Sequence, residues 1–105
     1  WALRDTSKYE LDKLVEFLQL NDNIVVELSS HTDSRGSDSY NQKLSQRRAQ
    51  SCVDYLIENG IPSTQIIARG YGESKLVNRC SNGVICTEEE HQENRRTEIR
   101  ILQVK

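Results

Sequence analysis

The stretch Asn23-Ile24-Val25-Val26-Glu27-Leu28-Ser29-Ser30-His31, with the loop and helix that come after it, decides the architecture. Ile24, Val26 and Leu28 share one face of an extended chain, and Val25, Glu27 and Ser29 share the other, so residues 23–31 read as a β-strand. His31 to Asp38 is polar with one glycine and reads as a loop at that strand's carboxyl end. From about Ser39 a long helix begins, with Ala49, Cys52, Val53 and Leu56 on its apolar face. Asn59-Gly60-Ile61-Pro62 ends it: Gly60 supplies a left-handed cap and Pro62 blocks continuation. Gln65 to Tyr71 reads as a second strand. A strand–helix–strand unit favours a parallel pair with a right-handed crossover.

On the amino side, Ser7 and Glu10 form a capping box, and Leu11, Leu14, Val15 and Leu18 give the next helix one apolar face. Asn21-Asp22-Asn23 stops it. On the carboxyl side, Gly72 to Asn94 is a long polar, irregular segment, unusual in a compact domain. Arg96 to Val104 is a last strand, alternating Ile99 and Ile101 with Glu98 and Arg100. The order helix, strand, helix, strand, strand implies an α+β fold with two helices covering one face of a mixed sheet. Three strands make a thin sheet, and the chain opens Trp1-Ala2-Leu3 without a Met. An element missing upstream is therefore expected.

The chain has 105 residues, which suits one domain. It carries 14 Lys plus Arg against 16 Asp plus Glu, a net charge of −2, which argues against sequence-independent nucleic-acid binding. No apolar run approaches the roughly 20 residues of a membrane helix. Of the three cysteines, Cys80 and Cys86 lie close together in an Asn-, Ser- and Gly-rich segment, and Cys52 lies far away on a helix face. One near pair plus one odd cysteine suggests a local disulfide and a single buried thiol. A disulfide implies an oxidising compartment such as a periplasm. It would also tie down the long polar segment.

The densest polar cluster is His31-Thr32-Asp33-Ser34-Arg35-Gly36, then Asn41, then Leu44-Ser45-Gln46-Arg47-Arg48-Ala49. Asp33 falls at a strand's carboxyl end, where α/β sites gather. With the helix's first turn near Asn41, Arg48 lies roughly 10 Å along the axis, and its side chain leans back towards the N-terminus. Asp33 and Arg48 can then flank one pocket. A carboxylate facing a guanidinium suits a zwitterion: ammonium to Asp33, carboxylate to Arg48. Taken singly, residues of these types more often cap a turn or form a solvated ion pair.

His31-Thr32-Asp33-Ser34-Arg35-Gly36, Asn41, Leu44-Ser45-x-x-Arg48-Ala49, Gly70-Tyr71-Gly72-Glu73 and Asn94-Arg95-Arg96-Thr97-Glu98 occur in that order. Together they resemble the OmpA-like peptidoglycan-binding domain over essentially the whole chain. The Cys80–Cys86 insert, with Glu88-Glu89-Glu90-His91-Gln92 behind it, is most similar to Bacteroidetes-type members. The resemblance implies a βαβαββ two-layer sandwich with sheet order 1-4-2-3, the last strand antiparallel and the first edge strand missing from this chain. It implies non-catalytic binding of peptidoglycan through the meso-diaminopimelate of the stem peptide, with no cofactor or metal. Asp33 matches the residue that takes the ammonium and Arg48 the residue that takes the carboxylate. Asn41 and Arg95 match further pocket residues, and Thr32 adds a contact. The parent protein is expected in or attached to the outer membrane of a Gram-negative cell, with this domain in the periplasm as a wall anchor. The alternative is a periplasmic protein-interaction or assembly domain whose pocket is vestigial.

Other chemistries fit less well. Cys80, Cys86 and His91 are spaced too loosely for zinc and lack a second pair. His31 beside Asp33 suggests a general base, but no nucleophile or oxyanion motif accompanies it, and a strand-end histidine bonded to the loop is the plainer expectation. Cys52 reads as a small buried hydrophobe. Gly70-Tyr71-Gly72 is no phosphate loop; its glycines suit a tight turn. Arg47 points about 100° away from Arg48 and reads as solvated, as do Lys8, Lys13 and Glu16. Arg95 and Arg96 face opposite sides of a strand, and the resemblance favours Arg95 for the pocket.

Overall fold

The computed structural model describes residues 2–3 and 8–105, with side chains from residue 9 onward. A four-stranded sheet has the order β1-β4-β2-β3, from β1 (Ala2–Leu3), β2 (Ile24–His31), β3 (Ile66–Gly72) and β4 (Arg96–Val104). β2 pairs parallel with β3 and antiparallel with β4, and β1 pairs antiparallel with β4. Three helices accompany it: α1 (Lys8–Leu20), α2 (Asp38–Glu58) and α3 (Glu88–Asn94).

The helices begin and end where local chemistry directs. Ser7, half of the expected capping box on α1, lies outside the described residues. Ser37 caps α2, its hydroxyl accepting from the Tyr40 N–H at 3.1 Å. Gly60 closes α2 at φ +96°, and the Ile61 N–H returns to the Leu56 carbonyl at 3.1 Å. The core forms where α1 and α2 lie on the sheet: Leu14, Leu18, Val26, Leu28, Leu56 and Ile61 are essentially inaccessible to solvent. Cys52 lies among them.

β2 is central and is buried on both faces. Away from the helices, Glu27 is only 4% exposed. Its carboxylate accepts a hydrogen bond from the Tyr71 hydroxyl at 2.7 Å. The Tyr71 side chain of β3 closes over this face, with Lys75 from the following loop against its ring.

α2 and β3 approach unusually closely. A Cβ on Gly70 would stand 2.3 Å from the Gln46 backbone nitrogen. The Gly70 N–H donates to Gln46 Oε1 at 2.8 Å, the Gln42 amide donates to the Gly70 carbonyl at 2.6 Å, and the Gly72 N–H donates to Ser45 Oγ at 2.9 Å. The expected role of these glycines thus needs refining. Gly72, at φ +56°, serves the irregular strand end. Gly70 instead makes room for α2.

Two expectations about architecture are corrected. The first edge position is not empty: Ala2 and Leu3 occupy it, opposite Glu98 and Thr97. The polar segment after Gly72 is not irregular to its end, because it contains α3. That helix is short and polar on all sides, so no apolar period announced it. Its signal was the capping box of Thr87 and Glu90, whose hydroxyl–amide and carboxylate–amide bonds measure 3.2 and 3.0 Å. The Cys80–Cys86 disulfide forms as expected, its Cα atoms 6.0 Å apart, just before α3. No helix among the described residues is long and apolar enough to cross a membrane.

Candidate functional site

The site is built at the carboxyl end of β2, where the chain leaves the sheet beside the start of α2. The Thr32 N–H still reaches the Gly72 carbonyl at 2.9 Å, holding the exit against β3. Thr32, Asp33 and Ser34 are buried although the segment is irregular. Thr32 Oγ1 donates to the Asp33 carbonyl at 3.0 Å. The Asp33 carboxylate accepts the Arg35 backbone N–H at 2.9 Å, an Asx-type turn that curls the loop towards α2.

Asn41, 2% exposed in the first turns of α2, fixes that loop. Its amide donates to the Asp33 carbonyl at 3.3 Å, the Arg35 carbonyl at 3.0 Å and Glu73 Oε1 at 3.3 Å. Burial and the neighbouring Asp38 and Asp33 carboxylates push the Glu73 carboxyl above its ordinary range, against the Asn41 bond that lowers it. Beside Glu73 a cavity of about 330 Å³ opens, lined by Asp38, Gln42, Tyr71 and Asn82 among others.

Two guanidinium groups meet the Asp33 carboxylate. Arg95, at the end of α3, donates to Asp33 Oδ2 at 2.8 Å and to Glu88 Oε1 at 2.6 Å, and also bonds Gln92. Arg35 donates to Asp33 Oδ2 from Nη2 at 2.8 Å and Nε at 3.3 Å, and to Glu88 Oε2 at 2.9 Å. Burial pushes the Asp33 carboxyl up, but the Arg35 hydrogen bonds and charge, with Arg95, outweigh it and hold the group below the usual carboxylate range. Arg96 faces away: it is 7% exposed and bonds Glu98, the Asn94 carbonyl and the Lys75 carbonyl.

The structure therefore brings Thr32, Asp33, Asn41 and Arg95 together. Arg48 stands apart, exposed on α2, with no hydrogen bond or ion pair among the described residues. It lies seven residues beyond Asn41, about 10 Å along the same helical face. Sequence reasoning missed Glu88, the exposed carboxylate that joins both arginines; nothing in its local pattern distinguishes it from Glu89. The role of Arg35 was also undetermined by sequence.

His31 does not bond the loop, contrary to expectation. It is 2% exposed and stacks on Tyr71 with ring centroids 5.3 Å apart. Neither ring nitrogen has a hydrogen-bond partner among the described residues, and Nε2 is 3.9 Å from Glu98. Desolvation, then the Arg96 charge, lowers its pKa to about 4. Cys80 and Cys86, bonded to each other, offer no thiolate for a metal.

Chemically, the arrangement is a buried carboxylate with guanidinium donors around it. It can exchange one cationic partner for another, and the guanidinium groups can receive an anion.

Comparison with known proteins places this architecture. The chain is 51% identical over 86 residues to outer membrane protein A of Escherichia fergusonii, covering 77% of this chain and 35% of that protein. It is 64% identical over 53 residues to outer membrane protein A of Citrobacter freundii, covering 49% and 22%. The chain thus spans about a quarter to a third of the length of such relatives. They are enterobacterial and lend no support to the Bacteroidetes-type resemblance. Among solved structures, the peptidoglycan-associated lipoprotein of Burkholderia pseudomallei matches with a TM-score of 0.81 at 22% identity, covering 94% of this chain and 82% of that one. The C-terminal domain of Helicobacter pylori MotB matches at 0.78 and 17%, covering 95% and 77%. The cell wall anchor of the Pseudomonas aeruginosa T6SS matches at 0.74 and 25%, covering 93% and 66%. The OmpA family model matches residues 1–95, and the chain belongs to that family.

Proposed function

We infer that this domain binds peptidoglycan without catalysis, holding the meso-diaminopimelate centre of a stem peptide and so anchoring an outer membrane to the cell wall. The observation that carries the reading is the Asp33 carboxylate, buried at the carboxyl end of β2 and flanked by guanidinium donors. It is suited to an ammonium, with a carboxylate taken up beside it by Arg95 and by Arg48, whose side chain swings in from its exposed position on α2. Charge-assisted, bidentate geometry favours such an exchange over a neutral ligand. The names of two structural neighbours, a peptidoglycan-associated lipoprotein and a cell wall anchor, support the same reading. On this reading the domain works on the periplasmic side of the outer membrane as part of a larger protein.

The test is a pull-down with purified peptidoglycan and a calorimetric titration with meso-diaminopimelate. Asp33→Ala and Arg48→Ala each lose binding, by about 2–5 kcal/mol, while the fold survives. Wild-type binding by both variants overturns the reading.

One feature favours a second reading, a periplasmic protein-interaction domain. Beyond Glu98 the outer edge of β4 has no strand partner among the described residues. A mostly apolar groove of about 430 Å³ lies beside it, lined by Leu14, Phe17, Val26, Ile99, Arg100 and Ile101. An open strand edge over an apolar groove can pair with an extended segment of another chain.

A further inference from the structure

The Asp33 Oδ2 is full. Its Oδ2 accepts from Arg35 Nη2 at 2.8 Å, Arg35 Nε at 3.3 Å and Arg95 Nη1 at 2.8 Å, and its Oδ1 accepts the Arg35 backbone N–H at 2.9 Å. Each carboxylate oxygen offers about two lone pairs, so Oδ2 has none vacant for an ammonium arriving there. One donor must leave.

The two arginines are not equally held. The Arg95 side chain is 24% exposed and springs from the end of α3, with Glu88 and Gln92 as further partners. The Arg35 side chain is 48% exposed. Its remaining bond runs outward, from Nη1 to a Glu88 carboxylate that is 64% exposed. Both arginines span a buried acceptor and a solvent-facing one, and Arg35 is the more exposed of the two.

On the diaminopimelate reading of this pocket, we propose that Arg35 is a displaceable cover on Asp33. The ligand's ammonium takes the place of the Arg35 guanidinium at Oδ2, and Glu88 retains that guanidinium as it swings outward. The backbone N–H of Arg35 stays on Oδ1 throughout, so the loop keeps its shape. Asp33 and Glu88 balance Arg35 and Arg95 charge for charge. The exchange replaces one cation by another and never leaves the buried carboxylate bare, which would be costly. Arg35 is a positioning residue in the empty pocket and a competitor during binding. Its ion pair is partly exposed, and such pairs change an equilibrium by up to about fivefold.

The experiment is calorimetric titration of the folded domain with meso-diaminopimelate. Four proteins are compared: wild type, Arg35→Gln, Asp33→Ala and Arg79→Gln. Arg79→Gln removes one positive charge from an exposed ion pair with Glu90 elsewhere on the surface. The expected result is binding about fivefold tighter in Arg35→Gln, unchanged in Arg79→Gln and absent in Asp33→Ala. Equal or weaker binding by Arg35→Gln, with Asp33→Ala still inactive, overturns the cover and leaves the pocket reading standing. Equal tightening in Arg79→Gln assigns the effect to net charge and also overturns it. No uptake by either wild type or Arg35→Gln overturns the pocket reading, and the cover with it.

Discussion

His31 shows how far position outweighs residue type. A histidine beside an aspartate in a polar sequence invites an acid–base role, yet its ring is packed on Tyr71 and desolvated. The groups facing it are Arg96 and Glu98 from β4, Glu27 from its own strand and Lys75 from the loop after β3. Its pKa falls from 6.5 to about 4, so the folded state holds it neutral where the unfolded chain would protonate it. The stability this confers is fully present above pH 6.5 and is lost as pH falls towards 4. Urea unfolding between pH 7.5 and 4.5 is expected to show a loss on the order of 2 kcal/mol from this residue. His31→Phe, which keeps the stack and removes the titration, should show a correspondingly flatter profile. Equal profiles in the two proteins would exclude His31 as the source.

At the scale of elements, the Gly70 contact and the disulfide-linked helix carry separate expectations. α2 sits on β3 through Gln42, Ser45 and Gln46, and Gly70 is what lets them reach. Gly70→Ala inserts a methyl against helix backbone, which cannot swing away. The expected cost is about 3 kcal/mol by urea melt, at the upper end of overpacking penalties. A cost under about 1 kcal/mol, the low end of that range, would mean that α2 slides freely on the sheet. α3 has only seven residues and is too short to persist alone. The Cys80–Cys86 link and the Thr87–Glu90 capping box hold its start. Reducing the disulfide is expected to destabilise the domain by about 2 kcal/mol on the loop-entropy account. Hydrogen exchange should show protection lost first at α3 while α2 stays protected. Uniform loss would mean that the link supports the whole core.

At the scale of the whole molecule, two surfaces compete to explain what the domain does. One is the polar pocket at the β2–α2 junction, the other the apolar groove beside the open edge of β4. They are chemically opposite, so one measurement separates them. Free meso-diaminopimelate is expected to release the domain from isolated cell walls, because it competes for Asp33 and the arginines. It should leave an edge-strand contact with another protein untouched. Retention on the wall under saturating diaminopimelate would exclude the pocket as the wall contact. The net charge of −2 also bears on this choice. A nearly neutral surface offers little long-range attraction to a polyanion, so recognition must come from the site itself.

Period and punctuation in the chain determined α1, β2, α2, β3 and β4, because strong apolar alternation, caps, Gly60 and Pro62 act over a few residues. The α+β class came from their order. The ordered motifs also named Asp33, Asn41, Arg95 and Thr32, and the structure gathers these around one loop. α3 was not legible as a helix because its period is polar throughout, and β1 was not because two residues carry no period. Which groups face Asp33 was settled by the folded chain alone. Arg35 and Arg95 are 60 residues apart in sequence, and Glu88 joins them across the loop that the disulfide and α3 shape. The direction of a long side chain depends on which acceptor the folded chain brings within reach. Local sequence cannot encode that distance.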